Sequence, residues 1–323
     1  MCEKIQSQVD EKIQKKPLII AGNGPSIKDL DYSLFPKDFD VFRCNQFYFE
    51  DKYYLGREIK GVFFNAHVFD LQMKVAQAIV KNSEYHLEQI YCTHVGLYDY
   101  FNNHQQLTQE YLDRNYVGVR SVYSYLKDLE PFFSLHSKYR NFYNQHFTSG
   151  IMMLIVAIAL GYKEIYLCGI DFYENSLGHF YEEKSALFPI HADCQHSKSL
   201  DFQAIELAKN YAKIYALVPN SALAQILPLS SQKGVSNEVK ERLDLGKEKT
   251  QTTDYFKNIP NQEEQVAPKS TLKSTFIGAL RKKGINESNF IFLLFRDSYR
   301  FVKGILALAL ETLKIFSKPK KEQ

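Results

Sequence analysis

The chain has no CxxC pair, and its five cysteines, Cys2, Cys44, Cys92, Cys168 and Cys194, are odd in number and far apart. That excludes a disulfide framework and a zinc knuckle, and it suits a reducing compartment. The leader MCEKIQSQVDEKIQKK contains no apolar stretch, so no ordinary secretory signal is expected and the protein is expected to stay inside the cell. Basic runs are missing from the body: the residues before Thr271 hold 29 Lys and Arg against 33 Asp and Glu, which argues against nucleic acid as a partner. There is no internal repeat and no long low-complexity tract.

What is present is material for a full core. With 323 residues, 45% hydrophobic and 24% charged, the composition predicts one large α/β domain with an appendage. Residues 1–16 read as a polar leader and 17–230 as the folded body. Residues 231–270, polar and poor in aromatics, read as a linker or loosely packed extension. The tail, 271–323, turns apolar and basic, with 11 Lys and Arg against 4 Asp and Glu.

Four short apolar runs in the body each stop at a polar or glycine cluster, the pattern of strands buried in a parallel sheet. They are Leu18 to Ala21, Asp40 to Cys44, Gly61 to Phe64 and Glu164 to Cys168. After them come Gly22-Asn23-Gly24, Asn45-Gln46, Asn65, and Gly169-Ile170-Asp171-Phe172-Tyr173. Ligands in open α/β sheets bind beyond the carboxyl ends of the strands, so these ends are expected to form one polar site. Gly22 and Gly24 allow a tight turn, and Pro25 suits a helix start that favours an anion; equally, the turn is plain strand-to-helix punctuation. Ile27 stands where a dinucleotide fingerprint needs its third glycine, which disfavours NAD. Thr148-Ser149-Gly150 opens an apolar helix closed by Gly161, where the hydroxyls either cap the helix or hold an anion.

The segments LIIAGNGPS, DFDVFRCNQFYFEDKYYLG, TSG with its apolar helix ending AIALGYKEIYLCGIDFY, and HSK together resemble the bacterial lipo-oligosaccharide sialyltransferases of glycosyltransferase family 42. The likeness runs in order from about Pro17 to Leu229. It implies a single nucleotide-binding domain, Rossmann-like and a variant of the GT-A type, with a small lid at about 174–195. It also implies inverting transfer of sialic acid from CMP-sialic acid to a terminal galactose, by an α2,3 linkage or by α2,8 linkage to a second sialic acid. By motif position Asn23, Gly24 and Ser26 would hold the nucleotide, with Asn45, Gln46 and Asn65 around the donor. Thr148, Ser149, Gly169, Ile170, Asp171 and Phe172 would add donor contacts, and Tyr173 would donate its phenol to the departing phosphate. The second lid contact falls on Tyr181 or on His179.

His196, in the HSK context, is the candidate general base, with His191 as the alternative. A phosphate leaving group needs aimed neutral donors more than a metal, and no cofactor is expected. The DxD patterns fit no metal site: Asp38 and Asp40 lie at the amino end of their strand, opposite the expected site, and Asp29 and Asp31 read as turn residues. His146 stands where close relatives commonly carry arginine, which leaves acceptor preference open.

In the tail, Val302, Ile305, Leu306, Ala309, Leu313 and Phe316 recur at helical spacing, and Lys318, Lys320 and Lys321 follow. This predicts a helix that either packs on the body or lies on an anionic membrane, at the inner face of the cytoplasmic membrane where a lipid-linked acceptor is assembled. A homo-oligomer is compatible with the sequence. The competing readings are a nucleotide-dependent oxidoreductase and a non-catalytic, membrane-associated glycan-binding protein.

Overall fold

The strands are short apolar runs that bury both faces, so each needs cover above and below. In the computed structural model, which describes residues 15–93, 109–172, 179–181, 196–232, 234–249, 255 and 290–317, the four expected runs are strands β1 (Leu18–Ala21), β2 (Asp40–Cys44), β4 (Gly61–Phe64) and β8 (Glu164–Cys168). Shorter strands join them: β3 (Glu58–Ile59), β5 (His86–Leu87), β6 (Ile90–Cys92), β7 (Arg120–Ser121) and β9 (Lys213–Ala216). Seven form one sheet in the order β7-β6-β4-β2-β1-β8-β9, and β3 pairs with β5. Every strand pairing is parallel. The chain leaves β1 toward β2 on one side, while β8 lies on the other, so the order reverses at β1 and opens a crevice at its carboxyl end.

Alternation along the strands feeds two cores. Leu18, Ile20, Phe42, Phe63, Ile165 and Leu167 point to one; Ile19, Ala21, Val41, Val62, Phe64 and Tyr166 point to the other. The first core is covered by α4 (Glu130–Tyr143), α5 (Ser149–Ala159) and α6 (Lys198–Ala208). Helix α5 is buried from Gly150 to Ile158, an apolar helix with no solvent face. The second core takes residues from α1 (Phe69–Lys81) and α2 (Gln109–Asn115). A single turn of helix, α3 (Tyr123–Leu126), follows β7.

The described part of the segment expected as a polar linker or loosely packed extension packs on the second core. It includes α7 (Asn237–Arg242), and it buries Val239, Leu243, Leu245 and Tyr255. Lys249, with a side chain 4% exposed, donates to the Tyr48 carbonyl at 2.6 Å and to the Tyr255 hydroxyl at 2.7 Å.

Contacts divide the chain into a body and a second unit made of Ile190–Cys194 and Pro268–Gln323. Within the second unit, α8 (Phe290–Ser317) is a helix of 28 residues, about 42 Å at 1.5 Å per residue. Phe290, Leu294, Phe301, Val302, Ile305 and Leu306 are exposed on it. Among the described residues no helix is long and apolar enough to cross a membrane.

Candidate active site

The turn after β1 exists because two glycines let it lie against the turn after β8. The Gly22 amide donates to the Cys168 carbonyl at 3.0 Å, and the Gly24 amide to the Gly169 carbonyl at 2.7 Å. A Cβ on Gly24 would stand 2.3 Å from the Asp171 carboxylate, so the position admits no side chain without displacing that carboxylate. Gly169 itself has φ +62°, in the left-handed region that glycine tolerates.

Asp171 uses that close approach. Its carboxylate accepts the Ser26 amide at 2.9 Å and the Ser26 hydroxyl at 2.5 Å, holding the start of the 3₁₀ turn Pro25–Asp29. Ser26 and Asp171, both expected as donor contacts, are thus bonded to each other. The side chains of Ile170 and Phe172 are packing groups: both are buried, and the Phe172 ring stands edge-on to Phe202 at 4.7 Å.

Asn23 closes the gap to β2, its Nδ2 donating to the Cys44 carbonyl at 3.0 Å, while its buried Oδ1 has no hydrogen-bond partner among the described residues. Asn45 turns the chain at φ +47° and links two elements. Its Oδ1 accepts the Asn65 amide at 3.0 Å, and its Nδ2 donates to the Ser149 hydroxyl at 3.2 Å. Expected residues from the ends of β1, β2, β4 and β8 and the start of α5 therefore meet at one edge of the sheet.

Of the expected lid, only His179–Tyr181 lies among the described residues; Tyr173 and His191 lie outside them. Phe180 is buried, with its amide donating to the Asn23 carbonyl at 2.8 Å. The Tyr181 hydroxyl donates to Gln46 Oε1 at 3.1 Å, and the His179 ring stacks on Tyr181 with centroids 5.0 Å apart. Gln46 is thereby tied to Tyr181.

His196 and His146 form a parallel bridge, with His196 Nδ1 3.1 Å from the His146 carbonyl oxygen. A carbonyl only accepts, so Nδ1 carries the proton and Nε2 the lone pair, the tautomer a general base requires. Burial pulls the His196 pKa below its usual range, partly offset by that backbone hydrogen bond, which keeps the imidazole neutral at pH 7. The His146 ring lies 5.6 Å from His136, a buried histidine of α4 whose pKa burial lowers to about 3. Two residues beyond His146, the Thr148 amide donates to Asp201 at 3.2 Å. Asp201 was missed from the sequence, although it shares the spacing of Ala204, Ile205 and Ala208 on the inner face of α6, where a carboxylate is out of place.

Three of the four DxD aspartates are engaged elsewhere. Asp31 accepts the Ser33 amide at 2.8 Å, Asp38 pairs with Lys16 at 2.8 Å and Arg242 at 3.1 Å, and Asp40 accepts the Tyr162 hydroxyl at 2.8 Å at the amino end of β2. An open polar recess of about 340 Å³ between Arg57, Glu84, Asp244 and Lys249 is lined by none of the expected site residues, and its Arg57 is paired with Asp244 at 3.2 Å.

Polar residues that gather at the carboxyl ends of a parallel α/β sheet, around a topological reversal, stand where open sheets of this class bind their ligands. Residues 16–305 match the family described as alpha-2,3-sialyltransferase (CST-I), and the chain belongs to that family. It is therefore a glycosyltransferase, and the oxidoreductase alternative falls. Among solved structures it is similar to the monofunctional alpha-2,3-sialyltransferase Cst-I of Campylobacter jejuni, with 33% identity, a TM-score of 0.62, and coverage of 84% of this chain and 96% of that one. It is also similar to the sialyltransferase CstII of Campylobacter jejuni in complex with the substrate analogue CMP-3FNeuAc, with 35% identity, a TM-score of 0.60, and coverage of 84% of this chain and 100% of that one. An uncharacterized protein of Haemophilus influenzae is 30% identical over 166 residues, 47% of this chain and 70% of that protein.

Proposed function

We propose that this sialyltransferase takes sialic acid from CMP-sialic acid and places it on a terminal galactose of lipo-oligosaccharide, with inversion. The acceptor hydroxyl attacks the anomeric carbon as the bond from that carbon to the phosphate oxygen breaks. The hydroxyl proton passes to His196 Nε2, and CMP leaves with the bonding pair. Charge developing on the phosphate meets aimed neutral donors, Tyr173 among them, together with amides at the start of α5. Asn45 and Ser149 shape the donor side, while Asp171 and Ser26 set the loop that carries Asn23 and Gly24. Tyr181 and His179 border the same edge as part of a lid over about 174–195.

The observation that carries this reading is the continuity of segment 146–149: its first residue holds His196 in the base tautomer and its last is bonded to Asn45 on the donor side. The test is purified protein with CMP-sialic acid and a panel of galactose- and sialyl-terminated acceptors, with CMP release and product linkage measured. Release of CMP only when galactose is offered supports an α2,3 transferase, and product on sialyl termini adds α2,8 activity. Binding without CMP release from any acceptor would return the glycan-binding alternative.

The exposed apolar side chains of α8, with the lysines beyond it, favour attachment to an anionic membrane, about 1 kcal/mol for each basic residue near the surface. Deleting 271–323 should leave activity on a soluble acceptor and abolish co-flotation with anionic vesicles. A truncated protein that aggregates, or an intact one that ignores such vesicles at low salt, would make the tail a structural element.

A further inference from the structure

Asp201 lies in the first turn of α6 and is 1% exposed. Its Oδ1 accepts the Thr148 amide at 3.2 Å; among the described residues its Oδ2 and the Thr148 hydroxyl oxygen, both buried, have no partner in full hydrogen-bond geometry, although the hydroxyl lies close enough to the carboxylate to favour its charged form in part. Carboxylates that stay ionised inside a protein collect two or three donors or a cation. Asp201 has one amide at the long end of the range and a poorly aligned hydroxyl, both from Thr148. Thr148 is the N-cap of α5 and makes no side-chain cap to it; the Asp201 oxygen takes the N-cap amide itself, the bond that the acidic residue of a capping box ordinarily supplies.

The protonatable and charged groups on the elements around it are few. Helix α5 carries none; α4 brings Glu130, His136, Lys138, Tyr139, Arg140 and Tyr143; the bridged segments bring His146 and His196; α6 itself adds Lys198 and Glu206. His136 stays neutral through burial, as does His196 above its lowered pKa.

We propose that Asp201 is a positioning residue that holds Thr148 and the mouth of α5 as an uncharged carboxylic acid, and that its ionisation opposes binding of the anionic donor. The inference rests on the donor reading above, because CMP-sialic acid brings a phosphate and a carboxylate to that end of the sheet. Burial pushes the Asp201 pKa up to about 7, opposed by hydrogen bonding from Thr148, so its charge changes within the working range. The sign follows from linkage. A bound anion disfavours a second negative charge nearby, so donor binding raises proton occupancy on Asp201, and raising the pH through neutrality weakens donor binding.

The experiment is calorimetric titration of the full chain with CMP-sialic acid, without acceptor, in two buffers of different ionisation enthalpy between pH 6 and 8. The donor is a phosphodiester and has no group of its own titrating there, so proton uptake belongs to the protein. Wild type should take up a fraction of a proton near pH 7 and bind about fivefold more weakly at pH 8 than at pH 6, which is what one pKa unit of coupling on a group titrating near 7 gives across that window. Asp201→Asn keeps the acceptor and removes the charge: it should lose that uptake and bind more tightly than wild type at pH 8. Asp201→Ala removes the acceptor and should bind more weakly at every pH. Should Asp201→Asn fail to fold, the donor-induced gain in the protonated-carboxyl band of the wild-type infrared difference spectrum reads the same event. Equal uptake in wild type and Asp201→Asn, or no gain in that band, overturns the inference while the donor reading stands. No binding of CMP-sialic acid by wild type overturns both.

Discussion

Removing the Asp171 carboxylate tests whether the first turn of the site is held by the protein or by the donor. In Asp171→Ala, the Ser26 amide and hydroxyl lose their acceptors at 2.9 and 2.5 Å. Hydrogen bonds to a charged group contribute about 1.5–3 kcal/mol when buried, and these are only partly buried, so the pair should cost about 2–3 kcal/mol. Ser26→Ala removes one of the two and should cost about 1 kcal/mol. Once Asp171 is gone the hydroxyl has nothing left to bond, so the double variant should be no less stable than Asp171→Ala, a coupling of about 1 kcal/mol. Gly24→Ala should reach a similar loss by another route, since its new methyl would meet the carboxylate at 2.3 Å. Urea unfolding at constant m-value gives the energies, and the donor KM gives the functional cost. Unchanged stability in Asp171→Ala, together with a donor KM raised tenfold or more, would refute the clamp and return Asp171 to direct donor binding.

His196→Ala should lower kcat by about 10²-fold or more with little change in CMP affinity, the range expected for general base catalysis. In the wild type, the acid limb of the kcat/KM profile should fall below the ordinary imidazole range, because burial lowers the His196 pKa and the base is lost only when protonated. Arg43→Met should destabilise by about 3–5 kcal/mol, since it strands Glu50, which is bonded to Arg43 at 2.9 Å with both side chains fully buried; Glu50→Gln in that background should restore part of the loss. Activity should survive exhaustive chelation in an EDTA-treated assay, and complete loss restored by Mn²⁺ would send attention back to the DxD aspartates.

The strands that could be read from sequence were those buried on both faces, because an unbroken apolar run that ends at glycine or asparagine leaves few alternatives. Strands such as Glu58–Ile59, His86–Leu87 and Arg120–Ser121 are two residues long and carry no period to detect. The site divides along a similar line. Its turns were legible because Gly169 and Asn45 hold a positive φ that few other residues adopt, and Gly24 leaves no room for a side chain beside Asp171. The pairing of Ser26 with Asp171 spans 145 positions, and nothing local announces it. Asp201 carried a local signal, a carboxylate at apolar spacing, but its meaning depended on Thr148 arriving from another helix.

Average polarity says little about the described part of the segment after Leu229, because a few anchors hold it. Val239, Leu243, Leu245 and Tyr255 bury their side chains in the second core, each contributing about 1.5–3 kcal/mol relative to exposure, enough to offset the ordering of a short excursion. The anchors also reach the site. Lys249 and Tyr255 both bond the Tyr48 carbonyl, at 2.6 and 3.3 Å, in the turn that follows Gln46. The Phe49 ring then lies between Tyr255, at 6.0 Å, and Tyr181, at 5.4 Å. A polar stretch that reads as a spacer thus braces the turn on which Gln46 and Tyr181 meet, and cutting the chain within it should disturb the donor side of the site before it disturbs the sheet.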